Sequence, residues 1–344
     1  MYYAKDRKNQ HLDLAKFQFE SEIEFNSLES IELPYCALPE IDFSSVNLET
    51  DFLNKKLLIP LIISGMTGGT DRSRYINEAL AEVAEDHGLG MGIGSQRASL
   101  ETGNTQKTLR KIAPNIPLIG NIGGIQLASQ SGIDLARRAV DDIEANALAI
   151  HLNPLQEIVQ PEGEHDWRGV LNAIEKTVKL LPCPVIVKEV GRGLSKEVII
   201  KLFDVGVKIF DVAGMGGTNW TKIEASRRLE NDKIVYQPFY HMGITLKKGI
   251  IDASTISKNN TIIGSGGIKN GLDIAKAIWI GADLVAMAGV ILKKLEDDNN
   301  KINKVRLYDF IDDIKKQLKI ALFITGSQNI REFSEKSEFR QIIK

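Results

Sequence analysis

Eight short runs of apolar residues recur along the chain, and segments with helical spacing of apolar and polar positions separate them. Each run is too short for an independent helix and is rich in isoleucine, valine and leucine, which is typical of a strand buried on both faces. The runs span 59–64, 89–95, 116–123, 147–153, 184–191, 207–214, 260–267 and 282–290. This alternation of strands and helices predicts an α/β fold with a parallel sheet.

Two architectures accommodate eight such units: a closed (β/α)8 TIM barrel and an open, doubly wound sheet. Nearly every run ends in glycine, serine or asparagine, and barrel enzymes place their sites at the C-terminal ends of the strands. No G-x-G-x-x-G follows the first run, although a dinucleotide-binding sheet would favour one. We therefore predict a barrel that forms one domain over 1–344, since such barrels run from about 200 to 400 residues.

Two segments fall outside the repeat of strands and helices. Residues 1–55 precede the first run with weak periodicity, and they are predicted to form an N-terminal arm packed on the barrel. The stretch 215–259, between the sixth and seventh strands, is longer than one helix requires. Long insertions in compact domains are often lids or active-site loops, so this stretch is predicted to be such an insertion.

Charge and composition narrow the possible partners. The 43 basic and 45 acidic residues give a net charge of −2, so there is no basic field to attract nucleic acid or an anionic membrane. An anionic substrate must therefore be bound by a local cluster of cations. The two cysteines, Cys36 and Cys183, provide neither a metal-binding pattern nor a disulfide framework. With no signal-peptide core and no membrane-length apolar stretch, we expect a cytoplasmic protein.

Three glycine-rich loops follow the last three predicted strands: GMGGT (214–218), GSGGI (264–268) and AMAGV (286–290). Glycine backbones allow a close approach to phosphate, and barrels often bind phosphate after strands seven and eight. The alternative is that these glycines only form tight turns. Three such loops at one end of the barrel favour a phosphate site.

Lys188 stands inside the apolar run VIVKEV. A lysine inside a barrel pays a large desolvation penalty unless an anionic group meets it. Glu189 is a poor partner, because neighbours on a strand point to opposite faces. We therefore favour a ligand-binding role for Lys188.

Polar side chains also gather in HLNPLQE (151–157), after the fourth predicted strand. His151 alone is equally explained as a satisfied core residue, but the whole cluster favours a site. Glu157 offers the oxygen ligands that Mg²⁺ prefers. Arg97 in GSQR, together with Arg7 and Lys8 in the arm, suits contacts with phosphate.

Taken together, these motifs resemble those of the type 2, FMN-dependent isopentenyl-diphosphate isomerases. The matching segments span almost the whole chain in family order. They are RKNQHL (7–12), SGMTGG (64–69), GIGSQR (92–97), GNIGG (120–124), HLNPLQE (151–157), VKEVGRG (187–193), GMGGTNW (214–220), GSGGI (264–268) and ITGS (324–327). The SQR, HLN-x-x-QE and GGTNW elements are specific to the family, whereas other FMN barrels share the glycine loops.

The resemblance implies interconversion of isopentenyl and dimethylallyl diphosphates by acid–base chemistry on reduced FMN, with Mg²⁺ on the diphosphate and NADPH as reductant. It implies FMN contacts from Met66, Thr67, Gly68, Ser95, Asn121, Lys188, Thr218, Gly266, Gly267, Ala288 and Gly289. It implies substrate contacts from Arg7, Lys8, Ser95, Gln96, Arg97 and Gln156. Gln156 and His151 are the implied catalytic residues, and Glu157 is the implied metal ligand. A homo-oligomer, a tetramer or octamer, is also implied.

Two segments depart from the family pattern. Gln10 stands before His11, where the family more often has an acidic residue, and 241–249 reads HMGITLKKG in place of a Trp-Gly-Ile-Pro-Thr segment. The rival function is an FMN-dependent 2-hydroxy-acid oxidase, which needs a histidine base and arginines that bind a carboxylate. No such pairing is recognisable near His241.

Overall fold

The computed structural model describes residues 2–21, 26–257, 259–297 and 299–341. The strands are β1 (Thr50–Phe52), β2 (Lys55–Leu57), β3 (Leu61–Ile63), β4 (Gly90–Gly92), β5 (Leu118–Gly123), β6 (Ala147–Leu152), β7 (Val185–Glu189), β8 (Ile209–Asp211), β9 (Thr261–Ser265) and β10 (Leu284–Met287). Strands β3 to β10 form a closed barrel in chain order, with every neighbouring pair parallel and β10 pairing β3. The predicted (β/α)8 barrel is confirmed, and each of the eight apolar runs contains one of its strands.

Helices connect and surround these strands. They are α1 (Tyr2–Ser21), α2 (Asp71–His87), α3 (Arg97–Thr102), α4 (Thr108–Ile112), α5 (Gly124–Leu127), α6 (Gly132–Ile143), α7 (Pro154–Val159), α8 (Val170–Leu180), α9 (Lys196–Asp204), α10 (Trp220–Ser226), α11 (Glu230–Tyr236), α12 (Leu246–Ser254), α13 (Gly271–Trp279), α14 (Gly289–Leu295), α15 (Lys304–Ile324), α16 (Ile330–Glu335) and α17 (Glu338–Gln341). Within the described ranges, none is both long and apolar enough to cross a membrane.

Side-chain caps fix where several barrel helices begin. Thr70 accepts a hydrogen bond from the Ser73 amide before α2, and Asn270 accepts one from the Asp273 amide before α13. Such caps satisfy amides that have no partner inside the helix. The loops after β3 and β9 therefore each end at a defined residue.

The antiparallel hairpin of β1 and β2 closes the N-terminal end of the barrel. Its Phe52 and Leu57 are buried in one apolar cluster with inward-facing barrel residues such as Ile119, Ile186 and Ile263. Burial of two large apolar side chains stabilises this end by roughly 3 to 6 kcal/mol. Apolar side chains therefore fill the barrel at its N-terminal end.

The two segments outside the repeat are built of short elements. Residues 1–55 include α1 and the first strand of the hairpin. Residues 215–259 include α10, α11, a 3-10 turn over Gln237–Phe239 and α12. Helix α12 packs against β9 and thus takes the ordinary barrel position, whereas α10 and α11 are additional. That this additional segment acts as a lid stays a prediction.

Candidate active site

A cavity of about 430 Å³ opens at the C-terminal ends of the strands. Loops after all eight barrel strands contribute to its wall, and so do four residues of α1. Its size is within the range of small-molecule sites. The predicted site residues that line it are Lys8, Met66, Thr67, Ser95, Arg97, Asn121, His151, Gln156, Glu157, Lys188, Thr218, Gly266, Gly267, Ala288 and Gly289. The side chain of Arg7 lies outside the described part of the chain.

Two predicted site residues, Gln96 and Gly68, are not part of this wall. The Gln96 side chain is fully buried: its Oε1 accepts from the Asn121 amide at 2.9 Å, and its Nε2 donates to the Ala139 carbonyl at 2.9 Å. Such a side chain supports Asn121 and is not placed to contact substrate. Gly68 is also buried, and an added Cβ would lie 3.1 Å from the Ser95 carbonyl oxygen. It is a packing position between two loops.

Lys188 lies on the cavity wall with little exposure to solvent. Its Nζ donates to the Glu189 carbonyl at 2.6 Å and lies 3.7 Å from Asp211 Oδ2. The Glu189 carboxylate points elsewhere and accepts from the amides of Val190 and Gly191, at 2.6 Å each. As the sequence indicated, the two neighbours serve different faces: Lys188 faces the cavity, and Glu189 holds the loop that follows.

Asn121 and His151 form a hydrogen-bonded pair. Asn121 Nδ2 donates to the Ile93 carbonyl at 2.9 Å, which turns its Oδ1 towards His151 Nδ1 at 2.7 Å. Burial, with added repulsion from Lys188 and Lys8, lowers the pKa of His151 to about 3. The ring is therefore neutral, carries its hydrogen on Nδ1 and keeps an unprotonated Nε2.

The HLNPLQE segment brings its polar groups together at the start of α7. Asn153 Nδ2 donates to Gln156 Oε1 and to Glu157 Oε1, both at 3.1 Å. Glu157 Oε2 accepts from the Glu164 amide at 2.8 Å. Asn153 Oδ1 is buried and accepts no hydrogen bond from the described residues. One carboxylate and one unused amide oxygen are thus held beside Gln156.

Glu224 on α10 is a buried carboxylate that the sequence analysis did not single out. Its Oε1 accepts from Gln156 Nε2 at 3.1 Å and lies 2.9 Å from His11 Nε2. Its Oε2 accepts from Arg227 Nη1 at 2.6 Å. Burial alone would raise the pKa of Glu224, but the hydrogen bonds from His11, Arg227 and Gln156 lower it to about 2. A fixed negative charge therefore stands behind Gln156.

Two aromatic rings beside this carboxylate belong to the same site. Trp220 lines the cavity four residues before Glu224 on α10, and its ring meets the His11 ring edge-on at 5.3 Å. Burial also lowers the pKa of His11, more than the neighbouring Glu224 raises it. The signal was present in the sequence, because Trp220 and Glu224 are spaced for one helix face and His11 lies in the RKNQHL motif.

Cationic and acidic groups meet at the mouth of the cavity. Arg97 is exposed, and its guanidinium pairs with Glu101 at 3.1 Å and with Glu164. Lys8 also lines the cavity and is close enough to affect the pKa of His151. An incoming anion must draw Arg97 from carboxylate partners, and a metal cation would offset the remaining acidic charge.

The glycine loops after β8 and β9 pack closely against each other and form a further part of the cavity wall. Gly266 and Gly267 have φ angles of 116° and 78°, which favour glycine. A Cβ on either would overlap the carbonyl oxygen of Gly214 or of Gly216. The loops leave main-chain groups, not side chains, on the cavity surface, which suits the binding of phosphate.

Comparison with known proteins identifies the family. Residues 135–339 match the family model described as FMN-dependent dehydrogenase. The isopentenyl-diphosphate delta-isomerase of Pseudescherichia vulneris is 44% identical over 334 residues, which cover 96% of this chain and 95% of that protein. The protein of the same name from Rickettsia rickettsii (strain Sheila Smith) is 42% identical over 97% of each chain. This chain belongs to the isopentenyl-diphosphate delta-isomerase family. The match to FMN-dependent dehydrogenases fits the FMN-dependent type 2 of these isomerases, as the sequence motifs predicted.

Solved structures with the same barrel include FMN oxidases. A putative lactate oxidase of Pediococcus acidilactici superposes with a TM-score of 0.69 over 97% of this chain and 92% of that one, at 16% identity. At that identity the likeness shows the fold alone. The isomerase chain also departs from the oxidase expectation in its histidines: His241 is exposed, and the cavity histidines of the described ranges are His11 and His151.

The cavity of this isomerase fits FMN. It joins glycine main chain for a phosphate, an ammonium at Lys188 and polar groups of Thr67, Ser95 and Asn121 in one space of sufficient volume. A metal site complete in itself is not present: no three His, Cys, Asp or Glu side chains cluster for a metal within the ranges described. Glu157 and Asn153 both line the cavity, and Glu157 offers a carboxylate to a cation that arrives with other ligands.

Proposed function

We propose that this isomerase acts on isopentenyl and dimethylallyl diphosphates in the cavity described above, with FMN against Lys188 and the glycine loops, and with Mg²⁺ between Glu157 and the diphosphate. The identity to relatives of that name, over nearly the whole chain, carries the proposal. The wall composition supports it, because anion-binding groups and apolar side chains line one cavity.

Moving the double bond requires one proton to be added and another removed, with no net change of oxidation state. Reduced FMN, when bound, supplies an electron-rich ring for this acid–base chemistry. The protein must hold the five-carbon chain, exclude water and neutralise the diphosphate. Met66, Trp220 and the apolar residues of α1 enclose the cavity and can exclude water from it.

Gln156 orients the reacting part of the substrate. Its oxygen accepts from Asn153 and one of its amide hydrogens is given to Glu224, so the amide has a single orientation. An amide is neither a strong acid nor a strong base. We assign Gln156 to substrate orientation and assign Glu224 to the support of Gln156 and His11, with an ionised carboxylate that favours positive charge nearby.

The diphosphate end is held by Arg97, Lys8 and His151. Arg97 can exchange its exposed carboxylate partners for phosphate oxygens. His151 is neutral before substrate arrives, and the negative charge of a diphosphate opposes the effect of burial and favours a proton on Nε2. Mg²⁺ commonly combines one or two carboxylates with substrate phosphates, and Glu157 is the carboxylate proposed here.

The test is an assay of purified protein with isopentenyl diphosphate, FMN reduced beforehand and Mg²⁺, followed by proton NMR of the product. Formation of dimethylallyl diphosphate is expected, with little turnover when the flavin stays oxidised. Equal conversion without reduction, or peroxide formation from 2-hydroxy acids in place of isomerisation, would overturn the proposal. NADPH as the reductant, a homo-oligomeric state and a cytoplasmic location stay predictions.

A further inference from the structure

Asp211 lies beside Lys188 on the neighbouring strand, because the two residues are register partners in β8 and β7. Its side chain is 6% exposed. It is not part of the large cavity wall. It lines instead a small interior space of about 20 Å³, together with Lys188 and Asn121. Lys188 thus faces two spaces, and Asp211 faces only the inner one.

Three groups surround the Asp211 carboxylate. The Ser265 hydroxyl donates to Oδ1, the Ala213 amide donates to Oδ1 at 3.2 Å, and Lys188 Nζ lies 3.7 Å from Oδ2. Asp211 is therefore a built part of the barrel interior with a fixed orientation. Nothing in the proposed chemistry uses it directly, since it has no access to substrate.

A buried ammonium needs a counter-charge before a ligand is present, because an unpaired charge in the interior is strongly unfavourable. Asp211 provides that charge from the side of the small interior space. An anionic ligand on the cavity side would then share the ammonium with Asp211. Charges interact strongly in an interior of low dielectric constant, so the protein carboxylate offsets part of the attraction that Lys188 offers to the ligand.

We propose that Asp211 is a positioning residue that sets how strongly Lys188 favours reduced, anionic FMN over oxidised FMN. The inference rests on the proposed placement of FMN against Lys188. Asp211 stabilises the ammonium in the protein without cofactor and limits the preference for the reduced cofactor. Reduced FMN is then held firmly enough to act, while the oxidised form also binds and can be reduced in place.

Asp211→Asn is the variant that tests this role. Asparagine keeps the size of the side chain and an oxygen that accepts from Ser265 and Ala213, but it removes the charge. We expect the ratio of the oxidised to the reduced FMN dissociation constants to rise about tenfold. For a two-electron couple this corresponds to a midpoint potential about 30 mV more positive. Both constants are measured anaerobically by titration of the apoprotein, and the potential by reduction against a reference dye.

Two further variants separate the inference from the proposed function. Lys188→Met should move the ratio in the opposite direction. Adding Asp211→Asn to it should change the ratio less than Asp211→Asn does alone, because burial disfavours the ionised form of a carboxylate that has lost its cation. If Lys188→Met alone leaves the ratio unchanged, the placement of FMN is wrong. If the Lys188 variant behaves as expected but Asp211→Asn alters both constants equally, Asp211 is only structural and the inference is overturned.

Glu296→Gln is the matched control. Glu296 is also a buried carboxylate, but its cation is Arg72, at 2.8 Å, and neither residue lines the cavity. Glu296→Gln should lower stability without altering the ratio of the two FMN dissociation constants.

If Asp211→Asn does not fold, Ser265→Ala serves instead, compared with and without Lys188→Met. Loss of the hydroxyl donor concentrates the charge of Asp211 on Lys188, so the potential should fall. A rise, or no change, would contradict the inference.

Discussion

Gln156 Nε2 donates to Glu224 Oε1 at 3.1 Å, and this bond joins α7 to α10 across the mouth of the barrel. The two residues are 68 positions apart in the chain, and neither helix alone would fix the Gln156 amide. Because Glu224 also meets His11 of α1, three separate segments converge on one buried carboxylate. The orientation of the proposed substrate-orienting amide therefore depends on a residue that does not touch the reacting carbons.

Glu224→Gln should reduce turnover much more than it weakens substrate binding. A neutral amide cannot accept from Gln156, His11 and Arg227 together, so the Gln156 side chain loses its fixed orientation. A small displacement of a positioning group can lower the rate by about a hundredfold, and kcat should fall by about that factor with little change in KM. Steady-state kinetics at saturating FMN measures both constants.

The control for this variant is Glu230→Gln on α11, whose exposed carboxylate pairs only on the surface with Lys233 at 2.6 Å. It should leave kcat and KM as in the parent protein. A Glu224→Gln enzyme with unchanged kcat would show that Gln156 is oriented by other contacts.

The barrel itself could be predicted from local pattern. Each strand is a short apolar run because both of its faces are buried, and all eight runs contain a strand of the barrel. Glu224 was missed: its spacing from Trp220 fits one helix face, but that local pattern does not show that the carboxylate meets Gln156 and His11. It lies within 215–259, where additional helices break the repeat, and its partners come from distant parts of the chain. Only the closed barrel brings α1, α7 and α10 together.

The direction in which a side chain points could also not be predicted from the sequence. Gln96 and Arg97 are neighbours in the motif GSQR, and both were predicted to bind substrate. In the structure Arg97 reaches the cavity mouth, whereas Gln96 turns inward to the Asn121 amide. A motif match shows that a residue type is required at a position, but it does not show what the side chain binds. Gln96 makes its hydrogen bonds to the protein main chain.

Gln96→Leu should therefore weaken FMN binding and stability while leaving the KM for the diphosphate nearly unchanged at saturating FMN. The substitution leaves a buried amide and a buried carbonyl without partners, at a cost of about 1 to 3 kcal/mol each. Asn121 then loses its fixed place beside His151. Flavin titration, thermal unfolding and kinetics distinguish the two roles. A large rise in KM with normal FMN affinity would favour direct contact with substrate.

The stability of the apoprotein should fall with acidity between about pH 6.5 and pH 3. Burial holds the pKa of His151 at about 3, below the ordinary value of 6.5. In that window the unfolded chain binds a proton that the folded chain does not, so the free energy of unfolding rises with pH. One such proton contributes about 1.4 kcal/mol per pH unit.

Denaturant unfolding at several pH values measures this slope. His151→Asn should reduce it, and the exposed His241→Asn should not. Glu224 acts with the same sign at lower pH, because its pKa of about 2 is also depressed and its contribution is lost as pH falls below 4.5. An identical slope in the parent protein and in His151→Asn would mean that His151 is not held neutral by the fold.

Glu157→Gln should raise the Mg²⁺ concentration for half-maximal activity. The amide keeps the size of the side chain and one oxygen, but it loses the charge that attracts a divalent cation. A change of about tenfold or more is expected, in line with typical losses when groups that support a metal are replaced. Titration of activity with Mg²⁺ gives the value. Glu175→Gln on the outside of α8 is the control, and an unaltered Mg²⁺ response would remove Glu157 from the metal site.

Gly267→Ala should lower both stability and FMN affinity, and by more than the positive φ angle alone explains. Gly267 has a φ of 78° and is held against the carbonyl of Gly216, whereas Gly103 has a φ of 73° with no atom within 4 Å of an added Cβ. Alanine at 103 therefore lowers the free energy of unfolding only by the cost of the left-handed backbone, about 1 to 2 kcal/mol. Alanine at 267 must also separate two loops of the cavity wall, so FMN affinity should fall at least about tenfold, a loss of about 1.4 kcal/mol. If the two variants lose equal stability and both bind FMN normally, the contact between the loops after β8 and β9 does not shape the flavin site.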